Sequence, residues 1–218
     1  MLKRAFTIIE LVFVIVVLSI LASVAIPRLN RDYREEVANS IISSLMYTKH
    51  MALIDNVTNP LDNRWQRAFW RFGIQSCSDD GIFYYIASDK NYGGNINGNE
   101  SVIDPSNGKI MMGSNTKPCK NTINNNASKN IFLTKNYGIT DEMISFNNCK
   151  PIGNSNTQAK HIGFDYFGRL HRGFSRSNSP NFSSRVHSDC QIKISFPNDL
   201  DDIIITIQSN TGHISVTY

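Results

Sequence analysis

The feature that most constrains this chain is an uninterrupted apolar run near its N-terminus. Residues 6–26 read FTIIELVFVIVVLSILASVAI, and Glu10 is the only charged residue in them. As a helix this run extends about 31 Å, which is enough to cross the hydrocarbon core of a bilayer. A carboxylate in such a segment is costly without a partner, so Glu10 is a candidate functional residue. Pro27 follows directly and predicts that the helix ends or kinks there.

Three interpretations of this N-terminus compete. A secretory signal peptide would use Lys3 and Arg4 as its basic region and 23–25 as its cleavage site. A plain signal anchor would keep the whole run in the membrane. A short leader that is removed just before the run is the third. The run is too long for the apolar core of a signal peptide, and such a core has no use for Glu10.

Residues 3–11, KRAFTIIEL, favour the third interpretation and resemble the cleavage site of type IV prepilins. The shared pattern is a basic leader, a small residue, an aromatic residue and an acid four positions later. Ala5 stands where the family usually has glycine. The resemblance implies cleavage after Ala5 by a prepilin peptidase and methylation of the new amine on Phe6. It also implies that Glu10 pairs with a neighbouring subunit's amine in a fibre, and that Pro27 is the kink.

The resemblance also implies a location. The leader would lie in the cytoplasm and the rest of the chain in the periplasm. Before assembly a single span would anchor the protein in the bacterial inner membrane, and after assembly the protein would belong to the fibre. Lysine and arginine counts leave the orientation open, because Arg28, Arg31 and Arg34 follow the run just as Lys3 and Arg4 precede it.

Beyond the run, the periodicity of apolar residues predicts first a helix and then strands. From Arg28 to Asp55 apolar residues recur every four positions, and Asn56–Pro60 supplies a stop. Strands are predicted at 67–75, 82–87, 131–134, 161–165, 192–196, 203–208 and 213–218. In the first of them Ala68, Trp70, Phe72 and Ile74 share one face. Short connections between the strands predict an antiparallel sheet.

The pattern 163–169 and the C-terminal stretch 203–216 resemble the minor pseudopilins of type II secretion and their type IV pilus relatives. The implied fold class is α+β and pilin-like, a long N-terminal helix whose first half is transmembrane, packed on an antiparallel β-sheet. The predicted parts are a leader at 1–5, a transmembrane and fibre-core helix at 6–26, and an amphipathic second half at 27–56. A β-rich periplasmic domain follows at 57–218, with a polar insertion at about 89–130.

The insertion begins with a candidate calcium loop. Residues 89–100 read DKNYGGNINGNE and match the spacing of an EF-hand-type loop. The predicted ligand positions are Asp89, Asn91, Gly93, Asn95, Asn97 and Glu100. Gly93 offers no side-chain oxygen, so water or a backbone oxygen would substitute there. The hard oxygen donors favour Ca²⁺, and two carboxylates predict a dissociation constant of about 10⁻⁴ to 10⁻³ M. A chance match in an Asn- and Gly-rich loop is the alternative.

The four cysteines all lie outside the apolar run and predict two disulfides formed in an oxidising compartment. They are Cys77, Cys119, Cys149 and Cys190. The sequence has no CxxC pair of the kind that indicates a zinc site. Three connectivities are open. Cys77–Cys119 together with Cys149–Cys190 is favoured, because each bond would close a polar segment with few apolar residues.

No motif in the sequence indicates an enzyme. The chain has no G-x-S-x-G, H-E-x-x-H or P-loop pattern, and its histidines lack ligand spacing. A net charge of +4, lowered by two on loss of Lys3 and Arg4, is mild for a nucleic-acid binder. The leading hypothesis is a minor pilin or pseudopilin in a fibre with other such subunits.

Two further functions are weighed against this hypothesis. The alternative is a fibre-tip subunit that contacts DNA or secreted cargo through the basic region 169–187. Its basic residues are Arg169, His171, Arg172, Arg176, Arg185 and His187. A secreted enzyme with a signal peptide is disfavoured by Glu10 and by the missing catalytic motifs.

Overall fold

The structure, a computed structural model, describes residues 7–119, 126–153, 157–197 and 201–218, without the side chains of 24–32. It divides into two compact units, Met1–Val37 and Ala38–Tyr218. Helix α1 spans Ile8–Ile54, which is 47 residues. The predicted helix to Asp55 is therefore confirmed to within one residue. The helix does not end at Pro27, because one proline removes a single backbone donor and leaves the turns on either side intact.

Eight strands and short helices follow α1. The strands are β1 (Trp70–Ser76), β2 (Ile82–Ala87), β3 (Ile144–Asn147), β4 (His161–Phe164), β5 (Leu170–Arg172), β6 (Cys190–Ile194), β7 (Ile203–Ile207) and β8 (Ile214–Thr217). Helix α2 spans Leu133–Tyr137. The 3-10 helices are Trp65–Ala68, Gly98–Glu100, Lys129–Ile131 and Asp141–Met143.

The predicted fold class, a pilin-like α+β fold with a transmembrane first half packed on an antiparallel sheet, is wrong. Among the described residues, no helix combines the length and the apolar character needed to cross a membrane. The strands form two four-stranded sheets, in the orders β2-β1-β4-β5 and β3-β6-β7-β8, instead of one sheet. Alternation of apolar and polar residues predicts where strands form. It does not predict which strands pair, because pairing is decided by contacts between residues distant in sequence.

Most individual strand predictions are confirmed, and the pairing is antiparallel throughout the described strands. The predicted strand at 131–134 is wrong, because this segment joins a 3-10 helix to α2. Strands β3 and β5 were not predicted. Both are four residues or fewer, too short to show an alternating pattern.

The first sheet is buried on both faces along most of β1. On one face Phe72 stacks on Tyr84 at 5.5 Å between ring centroids, and Tyr84 reaches Ser44 of α1. The second sheet alternates: every second residue of β6 and β7 is buried, including Ile192 and Ile205. Strands with one buried face and one wetter face are typical of antiparallel sheets.

Both disulfides have the favoured connectivity. Cys77 is bonded to Cys119 and Cys149 to Cys190, with sequence separations of 42 and 41. No free cysteine is left among the described residues. Bonds of this kind persist in oxidising compartments, so the globular unit is suited to such an environment.

Replacing both cysteines of one pair tests what that bond contributes. We expect Cys77→Ser/Cys119→Ser to lower the free energy of unfolding by about 4 kcal/mol, the loop-closure entropy of a loop this long. Chemical denaturation of the full chain in detergent measures it. The second bond closes a loop of nearly equal length, so Cys149→Ser/Cys190→Ser should cost nearly the same. A loss below about 1 kcal/mol in both variants would contradict the entropic explanation.

Candidate functional site

The start of α1 places Glu10 against its own helix terminus. The Thr7 backbone N–H and hydroxyl both donate to Glu10 Oε2, at 2.8 Å and 2.9 Å, and the Glu10 N–H reaches the Thr7 hydroxyl at 3.4 Å. This is a capping box, in which the residue three positions into the helix accepts from the capping residue. In the single chain Glu10 therefore has a local partner, which the sequence analysis did not foresee. The processing residues Ala5 and Phe6 lie outside the described residues, as does the side chain of Pro27.

The helix that follows Glu10 has a bare apolar surface. Its large apolar side chains between Ile8 and Leu21 are all exposed, from 37% at Val17 to 83% at Ile8. They point in every direction around the helix, so no polar face is available to water. Monomeric proteins rarely expose apolar surface of this extent, and such surfaces mark contacts with lipid or with other proteins.

The loop 89–100 is closed by its two carboxylates, both buried. Asp89 accepts from the N–H groups of Gly93 and Gly94, at 3.0 Å and 2.7 Å. Glu100 accepts from the Asn91 side-chain amide at 2.8 Å and from the Asn97 N–H at 3.0 Å. Every carboxylate oxygen therefore has a donor within the loop, and these hydrogen bonds hold the loop shut.

Three of the six predicted calcium ligands come together. The Gly93 N–H donates to both Asp89 and Asn91, and the Asn91 amide nitrogen donates to Glu100, so these three side chains are linked by hydrogen bonds. The structure does not bring Asn97 into this group, because its side chain accepts from the Asn99 N–H and caps the helix Gly98–Glu100. Gly93 takes part as a donor, and Asn95 lines a neighbouring cavity.

A second buried carboxylate, which the sequence analysis missed, organises the β4–β5 turn. Asp165 accepts from the N–H groups of Phe167 and Arg169, and from Arg169 Nε at 2.7 Å. Burial acts to raise the pKa of Asp165, but hydrogen bonds from His171 and Arg169 outweigh it, so the pKa lies below its usual value. The run Gly163–Arg169 contained the signal, since Asp followed by Gly three positions later is typical of a turn.

His171 links Asp165 to Ser184, which places a Ser-His-Asp set inside the globular unit. The His171 Nδ1–Ser184 Oγ distance is 2.9 Å and the Nε2–Asp165 Oδ2 distance is 3.4 Å. The three residues are 0–1% exposed, and none of them lines either of the cavities of about 630 Å³ and 640 Å³ in the described part of the chain. Their arrangement satisfies polar groups in the core, and its contribution is to the packing of β5.

The basic region 169–187 does not form one exposed surface. His171 and Arg172 are buried, and Arg169 is paired with Asp165. Arg172 donates to the carbonyls of Ala159 and Cys149 inside the fold. Among its basic residues, only Arg176 and His187 are classed as exposed. A row of phosphates would therefore meet few free cations here, and this geometry gives the DNA or cargo alternative no support.

Comparison of the chain with protein-family models, curated proteins and solved structures finds no match. The resemblance to prepilins and pseudopilins therefore rests on the residues of this chain alone, at 3–11, 163–169 and 203–216.

A buried histidine on β4 makes the stability of the globular unit depend on pH. Burial lowers the pKa of His161 to about 3, with smaller contributions from Arg71 and Arg172. In the unfolded chain the same group has a pKa of about 6.5. Between these values the unfolded chain takes up a proton that the folded chain does not, so stability falls as the pH drops from about 6.5 towards 3.

We expect His161→Gln to remove part of this acid sensitivity. Between pH 7 and pH 5 the unmodified chain should lose about 2 kcal/mol more free energy of unfolding than the variant, at about 1.4 kcal/mol per pH unit. Denaturant titrations at both pH values measure the difference. The control is His213→Gln, which removes an exposed imidazole from the same unit. Equal pH dependence in His161→Gln and the unmodified chain would contradict the prediction.

Proposed function

We propose that this protein is a structural subunit, a minor pilin or pseudopilin, of a pilus-like fibre in a type II secretion or type IV pilus machine. The observation that supports it best is the bare apolar helix between Ile8 and Leu21, headed by a capped carboxylate. Apolar surface of this extent is driven out of water. In a fibre, the equivalent helices of neighbouring subunits bundle together and cover it.

The proposal includes the processing of the N-terminus. A prepilin peptidase cuts after Ala5, the new amine on Phe6 is methylated, and the chain is then competent to assemble. The globular part lies in the periplasm, which agrees with its two disulfides.

In the assembled fibre Glu10 exchanges partners. The free subunit satisfies its carboxylate with Thr7, a bond between a charge and neutral donors. Inside an apolar bundle, the positively charged amine of a neighbour's Phe6 neutralises that charge as well as bonding to it. A buried charge without such a counter-charge is strongly destabilising, so the pair selects one axial register between subunits.

We expect Glu10→Ala to leave processing intact and to impair incorporation into the fibre, because the neighbour's amine loses its counter-charge. The amount of the chain in sheared fibres, compared with the membrane fraction, measures incorporation, and N-terminal sequencing of the mature chain measures processing. Ser19→Ala is the matched control, since the Ser19 hydroxyl donates within its own helix, to the Ile15 carbonyl at 2.8 Å. Thr7→Val removes the hydroxyl that caps the helix but keeps the charge of Glu10, so this variant should still assemble.

Two results would contradict the proposal. Normal incorporation of Glu10→Ala would remove the role given to the charge. A mature chain that begins at Ile26 instead of Phe6 would identify a signal peptide and remove the fibre helix altogether.

A calcium ion at the loop 89–100 is the second part of the proposal, as a structural ion and not a signal. The convergence of Asp89, Asn91 and Glu100 supports it, since each offers an oxygen with a lone pair beyond the hydrogen bonds already made. The ion would neutralise two buried carboxylates and fix the start of the polar insertion.

Calcium should raise the melting temperature of the full chain in detergent by about 5 to 10 °C at 100 times the dissociation constant, which corresponds to about 2.7 kcal/mol. Glu100→Gln should abolish the rise, whereas Asn99→Ala, at an exposed position of the same loop, should retain it. Equal melting curves of the unmodified chain in about 100 mM calcium and in chelator at the same ionic strength would show that hydrogen bonds alone close the loop.

A further inference from the structure

A cavity of about 630 Å³ lies on the first sheet beside the loop 89–100. The strands contribute Arg71, Tyr85 and His161 to its lining, and the loop contributes the segment 94–98. The segment 112–115 also borders it. Cavities of a few hundred Å³ with a small number of placed polar groups are the usual size of small-ligand sites.

The missing side chain of Gly73 makes room for the ring of Tyr85, which lines the cavity. In the register of the sheet Gly73 lies opposite Tyr85 on β2 and opposite His161 on β4. Residues opposite each other in antiparallel strands share a face, so all three belong to one face of the sheet, together with Arg71 two positions away. A Cβ at Gly73 would lie 2.4 Å from Tyr85 Cζ, so only glycine lets this ring lie across β1.

Arg71 has the largest polar side chain of the cavity lining, and no carboxylate of the described residues forms an ion pair with it. It is 1% exposed. One terminal nitrogen donates to the Arg67 carbonyl, and its guanidinium lies 4.8 Å from the centre of the Phe174 ring. Its Nε has no hydrogen-bond partner in the described part of the chain. Buried charges are normally paired, and a buried donor without a partner is costly.

The two nearest acids do not fill this role. Asp89 and Glu100 act on Arg71 only through space, and their oxygens already accept from N–H groups of the loop. Lys160, which also lines the cavity, is paired with Asp141. The lining contains these cationic groups and no carboxylate among the described residues.

His161 supplies a second nitrogen without a partner. Its ring is 9% exposed and packs edge-on against Phe174 at 5.1 Å, and its Nε2 makes no hydrogen bond within the described chain. A neutral imidazole donates from Nε2 in one of its two tautomers. Two side chains of the cavity lining therefore each carry a buried nitrogen without a partner in the described chain, one on a cation and one able to donate. A matching ligand brings acceptors and negative charge.

We propose that this cavity binds a carboxylate group. The Arg71 Nε–H has no partner in the described chain, and the adjacent Nη2 keeps a second hydrogen besides the one that it gives to the Arg67 carbonyl. Together they offer a planar fork, which matches the two oxygens of a carboxylate better than it matches a spherical anion. His161 Nε2–H provides the third donor. The carboxylate belongs to a free small acid or to an acidic side chain of a peptide segment, which share this chemistry. The proposal is independent of the fibre function, since all these residues lie in the unit Ala38–Tyr218.

The test follows the ring and guanidinium signals of the full chain, labelled with ¹⁵N-arginine and ¹⁵N-histidine and held in detergent. Arg71→Lys assigns the Arg71 Nε–Hε signal by removing it. During titration with sodium acetate, the Arg71 and His161 signals of the unmodified chain should move together and reach saturation. Sodium chloride at equal ionic strength should leave them in place. Absence of saturable movement up to 100 mM acetate, or equal movement in chloride, would overturn the proposal.

A variant series tests the role of Arg71. In Arg71→Lys, the dissociation constant for acetate, measured from the His161 ring signal, should rise at least tenfold. Lysine keeps the positive charge but lacks the planar fork of the guanidinium. Arg176→Lys is the matched control at an exposed arginine and should bind as the unmodified chain does. Unchanged affinity in Arg71→Lys would remove the assignment. The titration of the unmodified chain keeps the proposal testable if Arg71→Lys does not fold.

The source of the carboxylate is decided with a blocked peptide, acetyl-Gly-Gly-Asp-Gly-Gly-amide, and the same peptide with Asn in place of Asp. Saturable binding of the Asp peptide at least tenfold tighter than acetate, and none of the Asn peptide, would assign the site to a peptide segment. Acetate binding without peptide binding would assign it to a free small acid. Equal binding of both peptides would contradict recognition of a carboxylate.

Discussion

Buried carboxylates that accept backbone N–H groups are the interaction on which the polar half of this protein depends. Asp89, Asp104 and Asp165 are at most 5% exposed, and each gathers donors from its own loop. Asp104 also accepts from side chains: burial acts to raise its pKa, yet hydrogen bonds from Ser128, Ser106 and Asn130 lower it on balance. Loops with few apolar residues gain from these bonds the order that a hydrophobic core would otherwise supply.

At the N-terminus a carboxylate also accepts hydrogen bonds from its own segment, but here the carboxylate is exposed. Glu10 is capped by Thr7, but it stands at the head of a helix whose apolar side chains have no cover. The globular unit is complete in itself, with its carboxylates bonded and its cysteines paired. The N-terminal helix is incomplete, and its incompleteness is the physical basis of the proposed assembly into a fibre.

The loop 89–100 and the cavity beside it are electrostatically connected. Asp89 and Glu100 partly balance the buried charge of Arg71 through space. A cation bound between the two carboxylates would reduce that balance and leave Arg71 in greater need of an anion. The two proposed ligands would therefore support each other, although each site rests on separate contacts.

The sequence by itself determined the local features. Periodicity predicted the end of the helix to within one residue, and alternation and turn chemistry predicted most of the strands. Tertiary structure decided what depends on distant contacts: two sheets instead of one, and the burial of Arg71. Arg71 falls on the polar face of an alternating strand, so its sequence pattern predicts exposure. The structure places that face beneath a loop and a phenylalanine from far along the chain. Local patterns arise from neighbouring residues, whereas burial depends on which segments meet, and no local pattern contains that information.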